Sequence, residues 1–583
     1  MKFRGIFNDR LLFLFSLTAV LALVFDFGFR NNYWHQVITD TFYLSFGLIF
    51  FVRMYRLCFR DRARAIRLSR YIVLGISAVL VIIALMNLLE FTLFKRSLDE
   101  PTAILVLFLT LLDISERIYA IEKQTLHPAL AFVLSFFFLI SLGAVLLMLP
   151  LATVSGISFT DAMFTATSAV CVTGLTVLDT GRDFTFFGQI IILTLIQMGG
   201  LGILTFTNLF GLFFRGYGSY RNRLMLKDMI NANDLGDTFS ILIKIIVFTF
   251  LIELAGAAVI YQFLEPEATP VGGKVFFAIF HSISAFCNAG FSTLSTSLYD
   301  SAFRFNYPLQ LTIAALIIFG GIGYNVFINY YQYAKKALRH HYRRLLMGQK
   351  EIAYRRPIIN TNTKLVTLTT TILLVAGTAF FYLFEQQHTL AEHHGWGRLV
   401  TAFFGAVTPR TAGFNTVDVA AMALPTLMIY LLLMWIGASP GSTGGGIKTT
   451  TFAVASMTVY QQVLGHDRVV LGWKQIPQRA LQRATAILLL SLIAIGLATF
   501  TLMTLDGQLG LLPIAFECFS AYGTVGLSMG ITADLSDGSK LALAVTMFVG
   551  RVSFLTILTG IARQFAPYRY APVQYPEEDI FIN

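Results

Sequence analysis

The sequence has few charged residues for its length. Only 13% of its 583 residues are Asp, Glu, Lys or Arg, whereas an ordinary soluble domain carries about a quarter. The AVILMFWYC set makes up 56% of the chain, and mean hydropathy is +0.70. So few charges could not cover the surface of a soluble protein of this size. The composition excludes a soluble enzyme and predicts an all-α polytopic membrane protein.

Cysteine is also scarce, because only Cys58, Cys171, Cys287 and Cys518 occur. Four scattered cysteines are too few for a disulfide framework or a Cys-based zinc site. Neither a Walker motif nor a G-x-G-x-x-G after a strand pattern is present, so we expect no nucleotide or other cofactor in this chain. The first apolar run, 11–27, is followed by no cleavage site and predicts a retained helix.

Long hydrophobic runs are abundant. A helix needs about 20 apolar residues to span a bilayer, and twelve stretches qualify. Four shorter stretches alternate with the last eight spans, near 160–171, 275–287, 398–409 and 511–522, and predict re-entrant or core helices. The predicted spans lie near 11–28, 37–54, 71–94, 102–120, 129–151, 186–213, 239–263, 308–334, 363–384, 420–462, 481–505 and 540–563.

The positive charges fix the orientation of these spans. The net charge is +11, and with twelve spans every Lys/Arg cluster falls on one side of the membrane. The positive-inside rule makes that side cytoplasmic. Both termini are then cytoplasmic and the four short stretches face outside. The clusters are Lys2–Arg10, 53–70, Arg215–Lys227, Lys335–Arg356, Arg468–Arg483, and Arg563 with Arg569.

The last eight spans form a fourfold repeat of span, short stretch, span. In each unit a Phe precedes a Gly by ten residues, and Leu or Phe follows that Gly. The four glycines are 116, 123 and 113 residues apart. Four matches in the same topological place favour a shared function over chance. The Phe–Gly pairs are Phe164 with Gly174, Phe280 with Gly290, Phe403 with Gly413, and Phe516 with Gly526.

Such a repeat predicts a cation pore. Non-helical backbone at membrane depth is tolerated where it is buried or lines a water-filled path. Its free carbonyls replace the hydration shell of a cation, and four loops around one axis would make a ring of oxygens. Glycine permits the dihedral angles that point those carbonyls inward. Each short helix directs its negative C-terminal end toward the ring, and Ser158, Thr160 and Asp161 are candidate cap and first-turn residues of the first.

The segments SAVCVTGL, SAFCNAGF, TPRTAGFNT and SAYGTVGLS resemble the filter loops of the Trk/Ktr/HKT superfamily of potassium transporters. The resemblance covers residues 127–583 and implies four membrane–pore-loop–membrane repeats in a pseudo-fourfold arrangement. One Gly per loop goes with K⁺ selectivity in that family, and plant relatives that prefer Na⁺ carry Ser where this chain has Gly174. It implies K⁺ at the carbonyls of Val172, Thr173, Gly174, Asn288, Ala289, Gly290, Thr411, Ala412, Gly413, Thr524, Val525 and Gly526.

A second match is WIGASPGSTGGGIKTTT, residues 435–451. Pro440 and the glycine run disfavour a continuous helix, and the resemblance implies an intramembrane loop that gates the pore below the filter. Arg551 lies near the middle of the last span, where a charge is a functional candidate. It would raise an electrostatic barrier or bind the loop. The gate residues are Gly441, Ser442, Thr443, Gly444, Gly445, Gly446, Lys448 and Arg551.

Two further features of the spans stay secondary. The glycine-rich motifs 199–202 and 320–323 are typical of close helix packing. Glu253 lies inside an apolar span without an evident partner in the sequence, and we assign it no role.

The repeats divide the chain into five predicted parts. About four extra N-terminal transmembrane helices precede the pore repeats and fall outside the resemblance. The parts are accessory helices 1–122, pore repeat one 123–235, pore repeat two 236–357, pore repeat three with the gate loop 358–475, and pore repeat four with the cytoplasmic tail 476–583.

The resemblance also implies partners. Bacterial Trk and Ktr members are homodimers on a cytoplasmic ring of nucleotide-binding regulatory subunits, so ATP, ADP or NAD is expected only on the partner. The cytoplasmic loops within 335–356 and 468–483 and the tail 575–583 are candidate contact surfaces. We expect lipid contacts, no nucleic acid, and a location in the bacterial inner membrane.

The predicted function is K⁺ uptake through a gated four-loop filter. One alternative keeps the fold but makes the protein permeable to Na⁺ or coupled to it. The other is a polytopic membrane enzyme such as a lipid transferase, which needs a cluster of His, Asp or Glu at one interface. The nine His residues lie mostly in loops without metal-ligand spacing on a helix. We therefore expect that the protein is not an enzyme.

Overall fold

The computed structural model describes most of the predicted core and three of the N-terminal helices. Statements about the fold concern these residues alone. They are 9–29, 33–59, 68–88, 102, 105–106, 108–110, 128–202, 238–264, 273–347, 359–466, 468–471 and 474–565. Of the sequence predictions, the fourth span at 102–120, the basic loop 215–227 and the tail 575–583 lie largely or wholly outside them.

Three helices precede the pore repeats: α1 (Asp9–Gly28), α2 (Tyr33–Phe59) and α3 (Leu68–Leu88). They agree with the first three predicted spans. Their mutual contacts bury the aromatic side chains of Tyr43 and Phe46. A backbone hydrogen bond of 3.2 Å from Leu151 N to the carbonyl of α1's last residue ties this bundle to the rest of the chain.

The remaining α-helices form four series, each with a long helix, a short helix and then a helix of 12 or 16 residues. Each series starts with a helix of 20 to 29 residues and continues with one of 12 to 15 residues. The four short helices agree with the four short stretches predicted from the sequence. The series are α4 (Pro128–Leu147), α5 (Phe159–Cys171) and α6 (Phe186–Leu201); α7 (Thr238–Phe263), α8 (Gly273–Cys287), α9 (Tyr307–Ile322) and α10 (Tyr324–Met347); α11 (Thr361–Glu385), α12 (Trp396–Val407), α13 (Leu424–Trp435) and α14 (Thr449–Val463); and α15 (Gln478–Asp506), α16 (Leu511–Gly523), α17 (Asp537–Val552) and α18 (Phe554–Phe565).

Strand structure is minimal in the described part of the chain, which agrees with the all-α prediction. The strands β1 (Val470–Leu471) and β2 (Lys474–Gln475) pair antiparallel, with Val470 opposite Gln475. They lie in the basic loop predicted at 468–483, away from the short helices.

The first short helix, α5, begins and ends where its sequence dictates. The Ser158 hydroxyl accepts a hydrogen bond of 3.1 Å from Asp161 N, which satisfies one free amide of the first turn. This confirms Ser158 as the cap and Asp161 as a first-turn acid. The helix ends because Val172 adopts φ 58°, a left-handed conformation that cannot continue a right-handed helix.

We call the helix that follows each short helix the second helix of its series. In the described residues it is broken in the second, third and fourth series, and the sequence predicted this break only in the third. Gly202 ends α6 with φ 79°, Gly323 separates α9 from α10 with φ 90°, and Ser553 separates α17 from α18 with φ 74°. The bends at the last two breaks are 97° and 82°. In the third series the break widens into residues 436–448, between α13 and α14. Three series therefore interrupt their second helix at a residue with positive φ or at a loop, and the described part of the first series ends its second helix at a glycine with positive φ.

Several helices among the described residues are long enough to span a membrane. Four helices are long and apolar enough to cross a bilayer, and six qualify if each bent pair counts as one span. Several other apolar helices, among them α6 and α13, are shorter than 18 residues. The breaks explain part of the difference from the predicted twelve spans, because they divide single hydropathy peaks into two helices.

The last series packs against the first. Lys540 Nζ on α17 lies 2.7 Å from Asp161 Oδ1 on α5, and these side chains are only 12% and 19% exposed. One hydrophobic cluster joins Phe164 and Ile192 of the first series to Leu502 and Met547 of the last. The chain thus closes on itself.

We expect Lys540→Ala to destabilise this closure. A largely buried ion pair costs more to break than an exposed one, so the loss should be about 2 kcal/mol. The thermal midpoint of the detergent-solubilised protein measures it. Glu392→Ala is the matched control, since its pair with Arg304 at 2.9 Å is 50% and 28% exposed and is worth below about 1 kcal/mol. A larger loss in Glu392→Ala would contradict the role of Lys540.

Candidate functional site

The four loops that follow the short helices meet in a closed ring. We call residues 172–174, 288–290, 411–413 and 524–526 ring loops one to four. Each loop's glycine lies against the middle carbonyl of the next loop, and the fourth lies against the first. A Cβ added to Gly174 would lie 2.3 Å from Ala289 O, to Gly290 2.7 Å from Ala412 O, to Gly413 2.3 Å from Val525 O, and to Gly526 2.2 Å from Thr173 O.

All four ring loops share an unusual backbone. The third residue is glycine with φ between 71° and 93°, and the contacts above leave no room for a side chain. The first residue also has positive φ although it is not glycine. Such conformations in non-glycine and β-branched residues cost energy and tend to cluster at functional sites. The first residues are Val172 (φ 58°), Asn288 (φ 61°), Thr411 (φ 70°) and Thr524 (φ 50°).

The amide side of the ring loops is held by a hydroxyl residue near the end of each short helix. Thr173 N donates to Ser168 O at 2.8 Å, and Gly174 N donates to the Ser168 hydroxyl at 3.1 Å. These hydroxyls were not among the residues predicted from the sequence, although one occurs five or six residues before every ring glycine. Ser520 repeats the contact with Gly526 N at 3.0 Å, whereas Ser284 and Thr408 donate to the carbonyls of Phe291 and Phe414.

The carbonyl side of the ring loops is free. Among the residues that the structure describes, no donor forms a hydrogen bond with any of the twelve ring-loop carbonyls. An unpaired buried carbonyl costs free energy comparable to a lost hydrogen bond. A ring of such oxygens, contributed by four loops in cyclic order, is suited to replacing the water around a dehydrated cation.

A loop crosses the ring on the side of its first residues. This crossing segment, residues 436–448, contacts three of the four loops. Gly445 N donates to Thr524 Oγ1 at 3.0 Å, and Thr443 Oγ1 donates to Phe286 O at 3.1 Å beside ring loop two. A Cβ on Gly444 would lie 2.2 Å from Thr411 Oγ1. The small residues of this segment therefore permit its close approach to the ring.

The crossing segment is also bound to the broken second helices. Ser439 N donates to Gly321 O at 2.9 Å, and Thr443 N donates to Gly320 O at 3.3 Å. Tyr324 N, just after the break in the second series, donates to Gly441 O at 3.1 Å. These bonds satisfy carbonyls and amides that the breaks remove from helical pairing.

Two cationic side chains hold the crossing segment. The Arg551 guanidinium donates to Thr443 O with one nitrogen and to Gly199 O at 2.6 Å with the other. Lys448 Nζ donates to Gly444 O at 2.6 Å. In the described part of the chain, neither forms a salt bridge with an acidic side chain. Two positive charges therefore lie on the same side of the ring as the segment they bind.

The glycine-rich motifs of the second helices do pack closely, as predicted. A Cβ on Gly199 would lie 2.1 Å from Val170 O, and one on Gly320 would lie 1.8 Å from Phe286 O. Gly550 has the same relation to Tyr522 O at 1.9 Å. The second helices therefore press directly against the ends of the short helices and support the ring loops from behind.

Glu253, which the sequence left without a partner, lies between the first two series. Its side chain is buried, and Gln197 Nε2 donates to Oε2 at 3.2 Å. Cys287 Sγ lies 3.8 Å from Oε1 and directly precedes ring loop two. The described residues contain no group of three or more His, Cys, Asp or Glu that could hold a metal ion, and their four cysteines are free and buried.

The structure thus brings the predicted site residues together. All twelve predicted filter residues form the ring loops, and the predicted gate residues lie on the crossing segment or bind it.

Comparisons with known proteins agree with this architecture. A family model described as TrkH, cation transport protein, matches residues 100–566. A potassium/sodium uptake protein, NtpJ, of Enterococcus hirae is 35% identical over 79% of this chain and 98% of its own length. The Ktr system potassium uptake protein B of Bacillus subtilis is 36% identical over 78% of this chain and 97% of its own length.

A solved structure shares the fold. The potassium transporter TrkH from Vibrio parahaemolyticus has a TM-score of 0.56 at 18% identity, over 95% of this chain and 99% of that one. The family consists of membrane transporters, so the prediction that the protein is not an enzyme is confirmed. The chain belongs to the TrkH family of cation transport proteins.

Proposed function

We propose that this protein is the ion-translocating subunit of a K⁺ uptake system and that the four ring loops are its selectivity filter. The observation that carries the proposal is the closed ring of twelve carbonyls without donors from the described residues. Four membrane–pore-loop–membrane repeats in a pseudo-fourfold arrangement would supply one loop each. The names of the relatives, which are potassium or potassium/sodium uptake proteins, support K⁺ as the ion.

In this proposal K⁺ exchanges its water for loop carbonyls and passes down its electrochemical gradient. The short helices add to the attraction because three of their C-terminal ends, at Cys171, Cys287 and Gly523, directly precede a ring loop, and the fourth, at Val407, lies four residues before Thr411. The C-terminal end of a helix carries a partial negative charge that favours a cation. Selectivity then depends on how firmly the ring holds its oxygens.

The crossing segment is the proposed gate. It lies on one side of the ring, and its hydrogen bonds with Thr524 and the Phe286 carbonyl support a position that would obstruct an ion. Arg551 and Lys448 add positive charge at the same point, which repels cations. Opening requires that these bonds break and the segment moves aside.

The membrane setting and the partners follow from the family. We propose a multi-pass protein of the bacterial inner membrane with cytoplasmic termini, working as a homodimer on a ring of nucleotide-binding regulatory subunits. The Ktr system names of the relatives support association with further components. The chain itself would carry K⁺ and no cofactor. The four N-terminal helices would be an accessory module of residues 1–122, and the four repeats keep the boundaries given above.

Flux into proteoliposomes tests the proposal. We expect passive ⁸⁶Rb⁺ uptake that unlabelled K⁺ inhibits and equal Na⁺ does not. Empty liposomes are the control. Uptake of ²²Na⁺ at an equal rate, or dependence of Rb⁺ uptake on a Na⁺ gradient, would favour the sodium-permeable or sodium-coupled alternative, for which the name of the Enterococcus relative is the supporting observation.

A further inference from the structure

Two of the four short helices carry a buried titratable side chain at the same position, nine residues before the ring glycine. In the second series it is His281, and in the fourth it is Glu517; both are 0% exposed. Neither residue contacts a ring loop itself. Both instead reach the residues that follow the ring glycine, on the side away from the crossing segment. We call residues 291–294 and 527–530 the outer limbs of loops two and four.

In the second series the contact is a chain of three groups. His281 Nδ1 lies 3.0 Å from Phe277 O, so this nitrogen carries the proton and Nε2 is an acceptor. The Ser292 hydroxyl therefore donates to His281 Nε2, at 2.9 Å. Leu294 N in turn donates to Ser292 Oγ at 3.0 Å. The outer limb is thus tied to the short helix through one serine.

The fourth series builds the same chain with a carboxylate. Gly530 N donates to Ser528 Oγ at 2.8 Å, and the Ser528 hydroxyl donates to Glu517 Oε1. Thr532 Oγ1 lies 3.1 Å from the same carboxylate oxygen. In both series the serine stands two residues after the ring glycine and accepts from the amide two residues further on. The acceptor differs, but the geometry is the same.

We call this contact, in which a buried side chain of the short helix binds the serine of an outer limb, a brace. Among the described residues, the other two series have no brace. The corresponding position is Thr165 in the first, whose hydroxyl is buried without a partner, and Phe404 in the third. Ring loops two and four are opposite each other in the cyclic contact order. The two braces therefore hold opposite sides of the ring.

We propose that Glu517 and His281 are positioning residues that set ion selectivity by bracing the outer limbs of ring loops four and two. The inference rests on the proposed filter function. A limb tied to its short helix keeps the ring glycine in its left-handed conformation and keeps the carbonyls at one spacing. Without the brace the ring relaxes, and a smaller ion such as Na⁺ competes better.

The test compares three variants by the ratio of Rb⁺ to Na⁺ flux. Glu517→Ala removes the acceptor and is expected to lower the ratio roughly fivefold, the equivalent of one hydrogen bond. Glu517→Gln retains an acceptor and is expected to keep the ratio within about twofold of the native value. Glu385→Ala is the matched control, because Glu385 is equally buried and hydrogen-bonded, to Thr389 and Ala423, but does not contact an outer limb.

Substitution of Ser528 gives an independent test of the same brace. Ser528→Ala is expected to lower the ratio as Glu517→Ala does, and the double variant is expected to be no worse than either single one, since both break the same chain. An unchanged ratio in Glu517→Ala, or an equal fall in Glu385→Ala, would overturn the proposal. Gly174→Ser distinguishes a failure of the brace proposal from a failure of the filter assignment. If it abolishes selectivity while Glu517→Ala does not, the filter assignment stands and the braces fail; if neither changes selectivity, the filter assignment itself fails.

Discussion

Replacing Gly174 by serine is expected to bring the ratio of Rb⁺ to Na⁺ flux close to one. A Cβ at this position would lie 2.3 Å from Ala289 O, so that carbonyl would have to move outward by about 1 Å to reach van der Waals contact. The residue also has φ 93°, which is unfavourable for any side chain. Displacing one carbonyl oxygen from the closed ring changes the spacing between all of the ring-loop oxygens, and this spacing determines which ion they fit.

Gly156→Ser is the control for backbone strain alone. Gly156 has a similar φ of 87°, but nothing lies within 4 Å of an added Cβ. It should lose some stability and keep the native flux ratio. Native selectivity in Gly174→Ser, with flux retained, would show that ring loop one does not select the ion.

Arg551→Gln is expected to raise the rate of Rb⁺ uptake at least about tenfold, because bonds from a charged donor are worth about 1.5–3 kcal/mol each. The guanidinium joins the crossing segment at Thr443 O to the second helix of the first series at Gly199 O. Losing this bridge and one positive charge favours the state in which the segment has moved aside. The flux ratio should change little, since Arg551 contacts no ring loop.

Arg398→Gln is the matched control for Arg551. Arg398 also donates to a backbone carbonyl, that of His393, at 2.6 Å, but it lies at the start of a short helix and away from the crossing segment. Its uptake rate should stay near the native value. A reduced or unchanged rate in Arg551→Gln, measured at equal protein incorporation, would argue that the segment is not the gate.

The sequence predicted the parts of the site that depend on composition and repetition. The four ring glycines stand out because each follows a short apolar stretch at the same offset from Phe. The crossing segment stands out because Pro440 and its glycines cannot form a stable membrane helix. Ser158 as a helix cap followed from local chemistry alone.

Other features depend on tertiary contacts that hydropathy does not report. The breaks at Gly323 and Ser553 occur inside single predicted spans, 308–334 and 540–563, so mean hydropathy gives no signal of a bend. The bridge from Arg551 to Gly199 O joins residues 352 apart in the chain. The paired residues Glu517 and Ser528 are visible in the sequence, but only the folded chain shows that one braces the other.

The most direct test of the account is to locate the cation itself. A crystal structure of the protein soaked in Rb⁺, with anomalous differences recorded at the rubidium edge, reports where the ion binds. We expect peaks on the axis of the ring, coordinated by the carbonyls of Thr173, Ala289, Ala412 and Val525. Peaks confined to other sites, with an empty ring at a saturating Rb⁺ concentration, would contradict the claim that these four loops form the filter.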